Sequence, residues 1–459
     1  MSSRLEPDQA ERALLANQIL AFLDDWMERA ATMPGSGTDL STEEIASLMV
    51  PPTEQGRSLE SILADVELAG KAGHIHLSGG HLSYIPNSGM YTAALAEFLA
   101  AGLNRYTGVA SAAPGMTAIE HATVDWMTSL FDLGPSASGL LLSGGSMANF
   151  TAIVAARTAK LGDDLGKGVL YVSGHTHHSV AKAARLAGFR NEQIRVVPVD
   201  RDLRMEPQAL TEMVEADRGA GLQPFLVVAS AGTTDTGTVD PFGPVADEVA
   251  KHELWMHVDG AYGGFFQLTS RGLRTLAGIE RADSIALDPH KGLSIPFGVG
   301  ALLVRDEAHL IDTNRGRGAY LLDSDLHFGQ RDIASLGPEL SRPFRALQVW
   351  LPLHLHGIAP FREALDLTLD LAQTAHARIS AISGIRALWA PDLSIVAFGF
   401  DDDDRGRAAM EAVNGDLRVH LSSTVVDERF VLRFAILNRR TTMEHIDHAV
   451  DIIEKALAG

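Results

Sequence analysis

The sequence predicts an α/β protein: a mainly parallel, seven-stranded sheet with helices on both faces, an N-terminal helical arm before it and a small C-terminal α+β domain after it. Three observations carry that expectation. Between about Gly139 and Arg305 the chain falls into the short apolar runs GLLLSGG, GVLYVSG, IRVVPVD, PFLVVAS, LWMHVDG, DSIALD and GVGALLV, most of them followed by a helix-like stretch. The runs are continuously apolar rather than alternating, as strands buried on both faces must be. The flanking regions on either side carry helical periodicity instead.

The elements follow in order. From about Asp8 to Ala31 the residues Leu14, Leu15, Ile19, Leu20, Leu23 and Trp26 recur at helical spacing until MPGSGTDLST breaks the pattern. A second helix starts near Ser41, three residues before Glu44 as in a capping box, and a third near Ser58. After the strand region, a long helical stretch from Arg342 runs through Pro352 to about Ser383. SIVAFGF, a DDDDRG turn and FVLRFAIL come next, and a last helix is expected from a capping box at Thr441 to Glu444. The Asp401 to Asp404 run reads as a solvated turn without function. The expected divisions are 1–88 (arm), 89–346 (large α/β domain) and 347–459 (small domain).

Composition narrows the function. The chain has 459 residues and is 46% hydrophobic, enough for one large core and a smaller one. A formal net charge of −20 argues against nucleic acid or an anionic membrane as partner. No cysteine is present, which excludes disulfides, thiolate metal sites and thiol nucleophiles. The acidic start MSSRLEPDQAERALL has no signal-peptide core and no run of 18 apolar residues follows, so a cytoplasmic protein is expected.

Chemistry concentrates at the strand ends. In SIALDPHKGLSIPFG, Lys291 lies just past an apolar strand, where a lysine amine in a poorly polar pocket can lose its proton and form a Schiff base with an aldehyde. LWMHVDGAYGG ends at Asp259, a carboxylate able to hold a proton on a pyridine nitrogen. In LLLSGGSMANF the Gly144–Gly145 turn and Ser146 open a helix whose N-terminal N–H groups suit a phosphate. The absence of GxGxxG and of a P-loop favours a one-phosphate cofactor. SGHTHHSV brings His175, His177 and His178 together, and AGTTDTG supplies Thr233 and Thr234. Rings on a strand-to-helix loop point in different directions, so no metal is expected, and an imidazole lying over a cofactor ring is preferred. His354 and His356, two positions apart on a helix, read as structural.

The ordered set GGSMAN, HTHHSV, AGTTDTG, HVDGAY, DPHKG and SRPFRALQVW, within about His74 to Asp447, resembles the group II pyridoxal-phosphate decarboxylases, the family of aromatic-L-amino-acid, glutamate and tyrosine decarboxylases. The resemblance implies the fold type I architecture of pyridoxal-phosphate enzymes, with Lys291 forming the internal aldimine and Asp259 pairing with the pyridine nitrogen. His177 is then implied to stack on the ring. Gly145, Ser146, Met147 and His290 would hold the phosphate end, and Thr234 and Ala261 would contact the ring region. Tyr320, in NRGRGAYLLDSD, matches a loop tyrosine supplied across a dimer that protonates the α-carbon once carbon dioxide has left; relatives with phenylalanine there tend to make aldehydes. A homodimer with its active site at the subunit interface is therefore implied. Two departures stand out. Gly292 replaces a tryptophan found in many members, and SYIPNSG puts Tyr84, Ile85, Pro86 and Asn87 where aromatic enzymes have a more aromatic run. Tyr84, Pro86, Asn87 and Arg342 are the candidate substrate residues. The expected reaction is decarboxylation of an L-amino acid, aromatic first and acidic second, with transamination or carbon–carbon lysis as the other chemistries open to the same cofactor.

Overall fold

The computed structural model describes residues 5–314 and 331–458. Seven strands form the main sheet: β1 (Ser138–Leu142), β2 (Gly168–Ser173), β3 (Ile194–Val197), β4 (Gln223–Ser230), β5 (Trp255–Gly260), β6 (Ser284–Leu287) and β7 (Gly300–Val304), in the order β1-β7-β6-β5-β4-β2-β3. All seven apolar runs are strands of this sheet. β7 alone is reversed, pairing antiparallel with both β1 and β6. The twelve residues between β6 and β7 hold only one four-residue helix, Pro289–Gly292, with no helix long enough to carry the chain back along the sheet as a parallel return requires.

Alternate strand residues enter different cores, which is why each run is apolar throughout. Leu226 and Val228 pack with Val180, Ala183 and Ala184, whereas Val227 and Ala229 join Leu210, Val245 and Val249. One face is therefore covered by α6 (Gly145–Leu161) and α7 (His178–Leu186), and the other by helices including Pro207–Gly219 and Phe242–Lys251. Earlier in the chain come α1 (Gln9–Arg29), α2 (Thr42–Leu48), α3 (Leu59–Gly70), α4 (Tyr91–Leu103) and α5 (Pro114–Ser129). Asp8 and Ser41 form complete capping boxes with Glu11 and Glu44. None of α1, α2 or α3 buries a residue.

The C-terminal region is a four-stranded antiparallel sheet of β8 (Ile385–Ala387), β9 (Ile395–Phe400), β10 (Ser422–Val426) and β11 (Arg429–Ala435), ordered β10-β11-β9-β8. It packs on helices Ala359–Ser380, Asp403–Asp416 and Met443–Ala458. Three local expectations need correction. The helical stretch after Arg342 is two helices, because Gly357 at φ 72° ends Ala346–His356 before Ala359–Ser380 begins. The DDDDRG run is a helix start: Asp402 accepts from the N–H groups of Asp404 and Arg405, and Asp403 pairs with Arg429 at 2.8 Å. Thr441 is no cap, since its hydroxyl donates to the Gly79 carbonyl while the Thr442 N–H donates to His445 Nδ1. Among the described residues, no helix is long and apolar enough to cross a membrane.

Candidate active site

The carboxyl ends of β1, β2, β4, β5 and β6 and the reversed start of β7 surround a cavity of about 410 Å³ lined by Gly145, Ser146, Met147, His177, Thr234, Asp259, Ala261, His290 and Lys291, among others. The cofactor residues expected from the sequence thus come from five separate segments to one place.

Lys291 follows β6 in the tight Pro289–Gly292 turn. Its Nζ lies 3.0 Å from Oδ2 of Asp288, whose side chain is 3% exposed and whose Oδ1 is buried without a hydrogen-bond partner. His290 points the same way, with Nε2 3.5 Å from Asp288 Oδ2 and Nδ1 2.7 Å from the Val299 carbonyl. Burial pushes the His290 imidazole below its ordinary value, partly opposed by Asp288.

Opposite stands Asp259 near the end of β5. Its Oδ2 accepts from Asn149 Nδ2 at 2.9 Å and its Oδ1 from the Ala261 N–H at 3.2 Å. Those two donors fix the carboxylate plane. His177 caps α7, and its Nδ1 lies 2.8 Å from Ser179 Oγ. Burial, the largest influence, lowers the His177 titration even though Asp259 pulls upward, so the ring is neutral near neutral pH.

The anion end is built at α6. The Met147 and Ala148 N–H groups both return to the Gly144 carbonyl, which leaves those of Gly145 and Ser146, at the positive end of the helix, for a phosphate. Glycine is required on both sides of this turn. A Cβ on Gly145 would sit 2.9 Å from Ala261 Cβ, and one on Gly300 only 2.4 Å from Gly144 Cα.

An amine, a carboxylate held by two donors, an imidazole and an N–H cradle on one cavity fit pyridoxal phosphate in kind. Thr234 lines the cavity, and its carbonyl accepts from Arg433 of β11. Thr233 instead spends its hydroxyl on Thr236 at 2.7 Å.

The four candidate substrate residues do not line this cavity. Arg342 is locked in a buried ion pair, Nη1 2.7 Å from Glu120 Oε2 with side chains 1% and 0% exposed, and its Nη2 donates to the Leu141 carbonyl. It braces β1 rather than facing a ligand. Asn87 has both ends of its amide engaged by backbone, donating to the Ile295 carbonyl and accepting from the Gly89 N–H. Pro86 is buried beside it, and Tyr84 is 53% exposed and packs edge-on to His74 at 5.4 Å. Gly292 does not line this cavity but a second one, with Met90, Tyr91 and Phe361, and a Cβ there would come within 2.7 Å of Phe265 Cβ. His354 and His356 bond to the Trp350 carbonyl and to Thr92. Tyr320 lies outside the described residues.

Sequence reasoning missed Asp288, Asn149 and Ser179. Each had a positional signal: Asp288 is three before Lys291, Asn149 is three after Ser146 on the same helix, and Ser179 is two after His177.

The profile of the pyridoxal-dependent decarboxylase conserved domain matches residues 45–400. An aromatic-L-amino-acid decarboxylase of Bacillus atrophaeus is 34% identical over 97% of this chain and 95% of its own length. An L-2,4-diaminobutyrate decarboxylase of Rhizobium meliloti is 30% identical over 98% of this chain and 93% of its own. Among solved structures, Oryza sativa TDC with PLP and tryptamine superposes with a TM-score of 0.93 at 26% identity, covering 100% of this chain and 99% of that one.

Proposed function

Because this chain belongs to the pyridoxal-dependent decarboxylase family, it is a pyridoxal-phosphate-dependent carboxy-lyase, and we propose that it converts an aromatic L-amino acid to the corresponding amine and carbon dioxide. The observation that carries the chemistry is the convergence of Lys291, Asp259 and His177 on one cavity. The aromatic assignment is supported by the Bacillus atrophaeus relative and by an exposed aromatic, Phe297, in the cavity lining.

When bound, pyridoxal phosphate supplies an aldehyde that takes up amines and a pyridine ring that takes up an electron pair. Lys291 is the amine that holds it. Asp259, oriented by Asn149 and the Ala261 N–H, keeps a proton on the ring nitrogen. His177 presents a neutral flat face, and the Gly145 and Ser146 N–H groups bind the phosphate, helped by His290. Tyr320 is the proton donor to the former α-carbon, a role resting on its place in the sequence.

We also assign the enzyme to the cytoplasm as a homodimer. No residue of the arm helices α1, α2 or α3 is fully buried within its own chain, and Leu14 of the arm, Met49 just past α2 and Phe98 of α4 are 60%, 77% and 65% exposed, which is the surface a second copy covers. Sedimentation at the mass of a single chain would contradict this.

The test of substrate is carbon dioxide and amine release from tryptophan, tyrosine, phenylalanine, glutamate and 2,4-diaminobutyrate. An aromatic amine is expected as the main product; faster release from glutamate or diaminobutyrate overturns the assignment. In the same assay, run in air, Tyr320→Phe is expected to turn product from amine to aldehyde, with dioxygen consumed and ammonia and hydrogen peroxide released, and an unchanged amine yield removes Tyr320 from the mechanism.

A further inference from the structure

Behind Asp259 runs a buried polar chain that the steps above leave unexplained. Trp255 Nε1 donates to Ser284 Oγ at 2.8 Å, and Ser284 Oγ lies 2.8 Å from His257 Nδ1. His257 Nε2 is 2.9 Å from Asn149 Oδ1, and Asn149 Nδ2 donates to Asp259 Oδ2 at 2.9 Å and to Ser179 Oγ at 3.1 Å. Ser179 Oγ, in turn, is 2.8 Å from His177 Nδ1. Trp255, Ser284, His257 and Asn149 are each no more than 1% exposed, so they must satisfy one another.

The two ends fix the direction of every proton between them. An indole N–H only donates, so the Ser284 oxygen is an acceptor at that contact. An ionised Asp259 only accepts, so Asn149 turns its amino group to it and its oxygen to His257. His257 Nε2 must then carry a proton. In a neutral ring Nδ1 is left as an acceptor, and the Ser284 hydroxyl hydrogen is free to meet it. Burial supports that neutrality, pushing His257 down to about 4 against the upward pull of Asp259. The reverse arrangement fails twice: the Ser284 hydroxyl hydrogen would be buried without an acceptor, and the Asn149 oxygen would face a carboxylate. On the branch toward α7, Ser179 Oγ accepts from Asn149 and so turns its hydrogen to His177 Nδ1. That leaves the His177 proton on Nε2.

We propose that Trp255, Ser284, His257 and Asn149 are positioning residues that impose one proton direction across the site, giving Asp259 a neutral donor and holding His177 as its Nε2–H tautomer. The proposal rests on Asp259 and His177 being the cofactor's partners. A cationic His257 in the same chain would draw the Asp259 charge away from the pyridine nitrogen. A neutral one orients that carboxylate without competing for it.

The direct test is nitrogen NMR of the holoenzyme labelled in histidine, with His257→Gln and His177→Gln to assign the signals. Both rings are expected to be neutral with the proton on Nε2 from about pH 7 to 8. A proton on Nδ1, or a cation, at either ring overturns the proposal. The second test compares Ser284→Ala with Ser284→Thr in the holoenzyme. The alanine variant is expected to move the pH midpoint of the cofactor's visible band by about one unit and to weaken cofactor retention about tenfold, with threonine restoring both. A lower melting temperature with an unmoved midpoint means a merely structural role and also overturns it. Should the alanine variant fail to fold, the tautomer measurement on the unaltered protein still decides. Failure of the underlying cofactor reading is distinct, since it appears as no cofactor fixed to Lys291.

Discussion

In the reaction proposed above, Asp259 would be the residue on which the rate depends most steeply, because its negative charge must already be in place when the ring takes up electrons. Asp259→Asn keeps the shape but removes the charge, so carbon dioxide release is expected to fall by on the order of 10²–10³ while the cofactor stays bound. A variant with full activity would remove Asp259 from the mechanism. At this scale residue type alone drew attention to Lys291, Asp259 and His177, and the structure brings all three to one cavity. The sequence was silent where a residue acts through others. Asn149 reads as an ordinary helix polar residue until Asp259 and His257 are both seen beside it. Asp288, adjoining the conspicuous PHK run, declares itself only through its 3.0 Å contact with Lys291. Arg342 was misleading in the opposite sense, since an arginine in a distinctive motif suggested a ligand and its partner Glu120 lies 222 residues away.

Strands and helices deliver those residues, and Arg342 acts at this scale. Its ion pair with Glu120 links α5 to the segment before Ala346–His356, and its second nitrogen holds the Leu141 carbonyl of β1. Removing one member of a buried pair leaves the other charge without compensation, so Arg342→Ala is expected to cost about 3–5 kcal/mol of folding stability. Urea unfolding measures this; a loss below about 1 kcal/mol would show that the pair is not the brace described. The strands were legible because a two-faced sheet demands unbroken apolar runs. The reversal of β7 was hidden, since an apolar run has no direction, although the short β6–β7 link held the clue. The DDDDRG start of a helix was hidden too, because an aspartate caps a helix and decorates a turn equally well.

For the whole molecule, buried imidazoles set the response to acid. His81 and His257 are both 0% exposed, and burial holds them near 3 and 4, His81 further lowered by the neighbouring His76, His74 and His420. Their folded values lie below the unfolded value of about 6.5, so stability is complete above that pH and is lost as pH falls through it, when only the unfolded chain takes the protons. Asp240, pushed up to about 6 by burial, works the other way, since the folded chain gains its proton first. His420, also held near 4 by burial, adds a third imidazole, so three outweigh one carboxyl, and going from about pH 7.5 to 5.5 is expected to cost about 3 kcal/mol. A urea midpoint that rises at the lower pH would contradict this ordering. Such couplings are invisible in the sequence, where 18 histidines look alike; burial alone separates them. The overall architecture, by contrast, was legible from the apolar runs and the order of the motifs. What joins architecture, site and reaction is a covalent link at Lys291, and borohydride reduction of the holoenzyme followed by mass mapping of its peptides reads that link directly. Cofactor fixed on the peptide that carries Lys291, and on no other lysine, is the expected outcome. Cofactor on a different lysine, or no fixed cofactor at all, would contradict the assignment of this cavity as the active site.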